Sequence, residues 1–133
     1  MENKSKKILS EVSAGELLDK ISILEIKLEK VSDKISLEHL KKEYKILKEN
    51  QNSNIKLEGK IEDLFKSLKN INLKLWSIED RLRICEKNKD FGKEFIELAR
   101  EVYFSNDKRS KIKSDINKIL GSNIVEIQQY ASY

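Results

Sequence analysis

The sequence contains no proline and only four glycines among its 133 residues. Because these two residue types interrupt helices, their scarcity favours a chain built from long helices. One cysteine, Cys85, excludes an intramolecular disulfide framework, and it continues an apolar helical stripe, which predicts a small core residue. His39 is the single histidine, and one histidine with one cysteine provides too few ligands for a zinc site. Glycine-rich phosphate loops are also absent, so we expect no metal and no cofactor.

No apolar run approaches the roughly 18 residues that a membrane-spanning helix needs. The basic N-terminus is not followed by the apolar core of a signal peptide. The sequence therefore predicts a cytoplasmic protein without a membrane span. Its net charge of +4 comes from 27 basic and 23 acidic residues that are spread evenly along the chain. Such mixing is typical of solvated helical faces and makes a nucleic-acid partner unlikely.

Apolar residues recur at helical spacing through most of the chain, which predicts an all-α fold of one domain, residues 1–133. Two segments of similar length flank a polar stretch, so we expect a long antiparallel helical hairpin like a coiled coil. A weak break is expected within the first arm, at 32–36. The predicted segments are a flexible N-terminus (1–12), a first arm (13–49), a turn (50–54), a second arm (55–88), two short base helices (92–121) and an extended tail (122–133).

The start of the first arm shows a capping box, in which Ser13 accepts from the backbone N–H of Glu16 and the Glu16 carboxylate reaches back. The following helix carries an apolar stripe from Leu17 to Leu28. Ile23 and Ile26 lie outside this stripe, so the apolar surface is wider than one packing face. We therefore expect a homodimer, or another protein partner, to cover part of this helix.

Arginine is the clearest compositional signal, since 23 lysines accompany only four arginines, all within residues 81–109. The planar guanidinium fork pairs with two oxygens at once, which lysine cannot do. Three interpretations remain open: internal salt bridges, an anion pocket near a helix N-terminus, and a surface patch for a partner. The candidate anion-binding residues are Arg81, Arg83, Arg100, Asn106, Asp107, Arg109 and Lys113. The candidate supporting carboxylates are Glu25, Glu79, Asp80 and Glu97.

The segment 104–109 has two interpretations of its own. Asn106 or Asp107 is most simply the N-cap of a fifth helix, and Asp107 could instead orient Arg109. Trp76 lies one position past Leu75, which predicts a half-buried ring with its N–H near a polar group.

Four stretches of the chain resemble an uncharacterised family of short bacterial and phage helical proteins, known only as a domain of unknown function. They are Val12–Lys27, Leu75–Arg83, Glu94–Tyr103 and Asn106–Arg109. The resemblance covers most of the chain except the middle arm. It implies a link to surface-polysaccharide metabolism, and it brings no catalytic residue with it.

Two functions follow from these observations. The first is a dimeric helical module that recruits or regulates a protein partner, in surface-polysaccharide metabolism as the resemblance implies. The alternative is a ligand-binding protein or enzyme that holds an anionic metabolite among the arginines. Whether the chain is an enzyme stays open. The two functions are separated by whether the arginines line a solvent-reached cleft or pair with internal carboxylates.

Overall fold

The computed structural model describes residues 6–133 and shows four helices in that range. They are α1 (Ala14–Lys30), α2 (Lys34–Asn54), α3 (Gly59–Lys87) and α4 (Lys93–Leu120). No strand occurs among these residues, so the all-α class is confirmed. A search of the described helices finds none that is both long and apolar enough to cross a membrane.

Helix α1 begins where the sequence predicts. The predicted flexible N-terminus falls partly on residues 1–5, which lie outside the described residues; residues 6–13 carry no helix or strand. Ser13 Oγ accepts from the Glu16 N–H at 3.1 Å, which confirms the N-cap. The Glu16 carboxylate is used elsewhere, since it accepts from the Lys113 ammonium of α4 at 2.7 Å.

The predicted first arm is two helices that fold back on each other. The break lies at 31–33, where the Asp33 carboxylate accepts from the Ser36 N–H at 2.9 Å and caps α2. The Tyr44 hydroxyl then donates to Glu25 at 3.2 Å, which shows α2 returning along α1. The weak break expected at 32–36 is therefore a complete reversal of the chain, because a cap at Asp33 lets it turn within three residues, so 13–49 does not form a single arm.

The prediction of a polar turn at 50–54 was also wrong, because these residues form the last turn of α2. Their amides satisfy the carbonyl groups at the helix end: Asn54 Nδ2 donates to the Asn50 carbonyl at 2.8 Å, and Gln51 Nε2 donates to the Ile55 carbonyl at 2.9 Å. Gln51 is buried. The connection to α3 is instead 55–58.

Residues 93–120 form one helix, where two short base helices were predicted. Ser105, Asn106 and Asp107 favour caps when they are exposed, but no glycine or proline interrupts this stretch, and packing against α3 overrides their preference. The antiparallel pairing of α3 with α4 is marked by contacts between Lys74 and Glu101 and between Arg81 and Glu94. Gly121 ends α4 in a left-handed conformation (φ 59°).

Helix α1 is the centre of the fold, because it packs against each of the other three helices. One core cluster joins α1, α3 and α4 around Leu18, Ile21, Leu68 and Ile116, all of which are fully buried. Beyond α1, a smaller cluster lies between α3 and α4 and contains Cys85, which confirms it as a core residue. The remaining residues, 121–133, carry no helix or strand and run back along α4.

Candidate functional site

A buried carboxylate lies where α1, α3 and α4 meet. The Asp19 side chain is 1% exposed, and a carboxylate at such depth must be compensated by cations and hydrogen bonds. Arg109 of α4 pairs with it through two parallel hydrogen bonds, from Nε to Oδ1 at 3.0 Å and from Nη2 to Oδ2. This bidentate pair fixes the plane of the guanidinium group.

Asn72 of α3 completes the surroundings of the carboxylate. Its Nδ2 donates to Asp19 Oδ1 and to Ser22 Oγ, each at 2.8 Å, so both amide hydrogens are committed. The Ser22 hydroxyl in turn donates to the Asp19 carbonyl at 2.7 Å. Three helices are therefore fastened to one another through a single polar cluster.

Lys113, one turn after Arg109, extends the cluster toward the tail. Its ammonium lies 3.7 Å from Asp19 Oδ2 and 2.7 Å from both Glu16 Oε2 and Glu126 Oε1. Burial lowers the pKa of Lys113, but hydrogen bonds to Glu126 and Glu16 outweigh it, so the pKa is raised above its ordinary value. The hydrogen bonds that Arg109 donates to Asp19 likewise raise the pKa of Arg109. Both cations therefore keep their charge at neutral pH.

The close approach of α1 to α4 is possible because Gly15 has no side chain. A Cβ at this position would lie 2.6 Å from the Lys113 carbonyl oxygen. The Gly15 N–H donates to Asn117 Oδ1 at 2.7 Å, which satisfies one of the orphan donors at the start of α1. Gly15 thus sets the distance at which Arg109 and Lys113 reach Asp19.

Arg109 also faces solvent, with 29% of its side chain exposed. A guanidinium group has five N–H bonds, and Asp19 accepts two of them. Among the described residues, the other three have no acceptor. Arg109 therefore combines two of the interpretations given above, because one edge of its guanidinium group forms an internal salt bridge and the other edge is open.

Arg109 lines a cleft of about 210 Å³ between α1, α3 and α4. The lining combines apolar side chains with charged and amide groups. The lining residues are Ile23, Ile26, Lys27, Asn72, Leu75, Trp76, Glu79, Asn106 and Arg109. All nine residues lie on α1, α3 or α4, the three helices that the polar cluster joins, so the cleft is preformed.

The other predicted arginines do not line this cleft. Arg81 pairs with Glu94 at 2.8 Å on the exposed side of the α3–α4 hairpin. Arg100 lies over the Phe104 ring, 5.7 Å from its centroid, and Arg83 is exposed. Lys113 belongs to the buried cluster. The arginine pattern therefore contributes one residue, Arg109, together with its neighbour Asn106.

The predicted carboxylates are equally scattered. Glu79 lines the cleft, whereas Glu25 lies 3.2 Å from Lys69, which with Tyr44 supplies the partners that its partial burial requires. Asp80 and Glu97 are exposed. Asp107 is not an N-cap, since it lies within α4 and accepts from the Tyr133 hydroxyl of the tail.

A comparison with family models places the chain. A match extends over residues 8–133, nearly the whole sequence. The chain belongs to DUF6165, a family of unknown function. No curated protein and no solved structure matches it. Three of the four stretches on which the resemblance was based contribute to the site: Val12–Lys27 contains Asp19 and Lys27, Leu75–Arg83 contains Trp76 and Glu79, and Asn106–Arg109 contains Arg109.

Asp19 and Asn72 are central residues of the buried cluster in this DUF6165 chain, and sequence reasoning missed both. Both had a detectable signal. Asp19 precedes Ile23 by four positions and Ile26 by seven, so it lies on the second apolar line of α1. Asn72 follows Leu68 by four positions on the apolar line of α3. A polar residue on a buried line requires a partner.

Acid is expected to weaken this cluster through Glu16. A hydrogen bond with the Glu126 carboxyl group, together with Lys113, lowers the pKa of Glu16 from 4.5 to about 2, although burial opposes the shift. The unfolded state therefore takes up this proton first, and the stabilisation present above pH 4.5 is lost as the pH falls toward 2. We expect a loss of about 1–2 kcal/mol, after allowing for solvent screening.

Urea unfolding at several pH values measures this loss. The Glu16→Gln variant should show a flatter pH dependence in that window. Glu62→Gln is the matched control, because Glu62 pairs with Lys66 at 3.4 Å on the surface. An equal flattening in both variants would contradict the assignment to Glu16.

Proposed function

We propose that this protein binds a small organic ligand through an oxyanion, a carboxylate or a phosphate, which Arg109 receives in the cleft between α1, α3 and α4. The observation that carries the proposal is the open edge of the Arg109 guanidinium group, which has three N–H donors without an acceptor among the described residues. Two parallel N–H bonds to one oxyanion are the strongest neutral-pH interaction that such an edge offers.

The buried cluster supports binding by pre-organising Arg109. Asp19 holds one edge of the guanidinium group, so little side-chain freedom is lost when a ligand docks on the other edge. Asn106, one turn earlier on α4, lines the same cleft and offers an amide. Lys27 adds a second cation from α1. We further propose a cytoplasmic location, as the sequence predicts, and a role in surface-polysaccharide metabolism, as the family resemblance implies.

The experiment is a thermal-shift series with 4-methylpentanoate and inorganic phosphate, followed by calorimetric titration. Ligand at about 100 times its dissociation constant adds about 2.7 kcal/mol of stability, which raises the melting temperature by several degrees. The two probes separate a carboxylate from a phosphate preference. Absence of a shift with both, at concentrations well above millimolar, would contradict the proposal.

Arg109→Lys tests whether the fork matters, because lysine keeps the charge but cannot pair with two oxygens. We expect ligand binding to weaken about tenfold, and stability without ligand to fall by about 1–3 kcal/mol because the pair with Asp19 loses a hydrogen bond. Lys108→Arg, on the neighbouring exposed position, should change neither quantity. Binding is measured below the melting temperature of each variant.

Asn106→Ala provides a second variant that leaves the Asp19 cluster intact, since none of the hydrogen bonds in that cluster involves the Asn106 side chain. It should weaken binding of the probe without the loss of stability expected for Arg109→Lys. Unchanged affinity in both variants would place the bound probe outside this cleft and refute the assignment.

Assembly with a second copy of the chain is the second candidate function. The wide apolar surface of α1, from which a homodimer was expected, no longer supports it. Ile26 is 1% exposed and Ile23 lines the cleft, so the chain itself covers this surface. The observation that now favours it is the free end of the α3–α4 hairpin, which exposes Ile84, Phe91 and Ile96. Light scattering that shows only monomer at tens of micromolar would eliminate it.

A further inference from the structure

The cleft that receives the oxyanion also contains acceptors, and these carry an inference about the rest of the ligand. Glu79 lines the cleft, and among the described residues no cation lies within salt-bridge distance of its carboxylate. Asn72 donates both of its amide hydrogens to the buried cluster, so what remains for the cleft is its carbonyl oxygen Oδ1. Arg109 donates and these two groups accept.

The charges that line the cleft nearly balance. Lys27 and Arg109 are positive and Glu79 is negative, and Arg109 already pairs with the buried carboxylate of Asp19. The lining therefore carries a net charge of only +1, which does not compensate a polyanion. A ligand that carries one charge of each sign matches this arrangement of charges better than a ligand that carries only negative charge.

The remaining wall is apolar and includes an aromatic ring. Ile23 offers contact area for an aliphatic group, whereas Ile26 and Leu75 of the same lining are largely buried. Trp76 and Glu79 lie on successive turns of α3. An indole face together with a carboxylate is a favourable environment for an ammonium group. At about 210 Å³ the cleft is smaller than the sites that hold drug-sized ligands, so the occupant is a small metabolite.

We infer that the ligand is a zwitterion of the amino-acid type with an apolar side chain. Its carboxylate pairs with Arg109, its ammonium group donates to Glu79 and Asn72 Oδ1, and its side chain lies against Ile23 and Trp76. This inference rests on the proposed function, because it assigns the rest of the ligand whose oxyanion Arg109 binds.

Four probes that differ by one group test it in calorimetric titrations of the full chain. Leucine carries both charged groups, 4-methylpentanoate lacks the ammonium group, 3-methylbutylamine lacks the carboxylate, and 2-hydroxy-4-methylpentanoate replaces the ammonium group by a hydroxyl. We expect leucine to bind at least about tenfold more tightly than each of the others, because each analogue leaves a polar group of the site unpaired.

The Glu79→Gln variant isolates the ammonium contact. Glu79 is exposed, so the substitution should leave folding unchanged. The preference for leucine over 4-methylpentanoate should fall by about tenfold, while 4-methylpentanoate binds as well as before or better, because a nearby negative charge is gone. Glu86→Gln, an exposed glutamate further along α3, is the matched control and should keep the full preference.

The outcomes separate the two proposals. If 4-methylpentanoate or the hydroxy acid binds as tightly as leucine, the zwitterion inference is wrong and the oxyanion site stands. If none of the acids binds and phosphate also fails, both proposals are wrong. If leucine is preferred but Glu79→Gln keeps that preference, the ammonium group does not contact Glu79 and the inference as stated is overturned.

Discussion

Replacing Asp19 by alanine is expected to lower the free energy of unfolding by about 3–5 kcal/mol, a large part of the total for a domain of this size. The substitution leaves Arg109 and Lys113 close together without their shared carboxylate, and Asn72 loses an acceptor. A buried charge that has lost its partner is much less favourable than either the complete ion pair or two apolar residues in its place. Urea unfolding followed by circular dichroism measures the change.

Asp115→Ala is the matched control, because Asp115 pairs with Lys111 at 2.7 Å within one exposed turn of α4. That pair should contribute less than about 1 kcal/mol. A double variant, Asp19→Leu with Arg109→Met, removes both charges and should recover much of the lost stability. If the double variant is as unstable as Asp19→Ala, the loss does not come from uncompensated charge.

Replacing Gly15 by alanine should also destabilise the fold, by about 1–3 kcal/mol, although alanine is the better helix former. The added Cβ would lie 2.6 Å from the Lys113 carbonyl oxygen and 3.0 Å from Asn117 Oδ1. A backbone oxygen within a helix cannot move aside by rotation, so α1 must shift away from α4. That shift also lengthens the hydrogen bond from the Gly15 N–H to Asn117.

Gly92→Ala is the comparison, because a Cβ at Gly92 meets only the Asp90 side chain, at 3.2 Å. We expect a loss of about 1 kcal/mol or less there, mainly from the weaker N-cap of α4. Because Gly15 sets the spacing between α1 and α4, Gly15→Ala should also weaken probe binding at Arg109, which Gly92→Ala should not. Equal stability of the two variants would contradict the close packing of α1 on α4.

The fold class and most helix boundaries could be predicted because they depend on local signals. Ser13 caps α1 and Gly121 ends α4, and both act within one turn. The pairing of helices could not be predicted in the same way. Asn50–Asn54 has the composition of a turn, but its amides find carbonyl acceptors at the end of α2, and this depends on the position of Ile55 in the core.

The candidate site could be predicted only in part. The scarcity of arginine pointed to residues 81–109, and Arg109 is the one that lies in the cleft. Arg81 carries the same signal, yet it pairs with Glu94 on the surface, because composition does not encode which side of a helix faces a neighbour. Asp19 contacts residues 53 and 90 positions away, a separation that no local pattern reports.

The placement of α2 gives the molecule two levels of stability. Helix α2 packs on α1 and has one buried residue, Gln51, whereas α1, α3 and α4 share the core cluster and the charges around Asp19. We therefore expect separation of α2 from α1 to require less free energy than global unfolding, although Tyr44 and Leu47 of α2 pack against the core cluster, and we expect its amide hydrogens to exchange through local opening. His39 and Leu40 of α2 line a second cleft against Lys27 and Trp76. Such an opening would uncover Trp76, which both clefts share, while the pair with Asp19 still holds Arg109 in place.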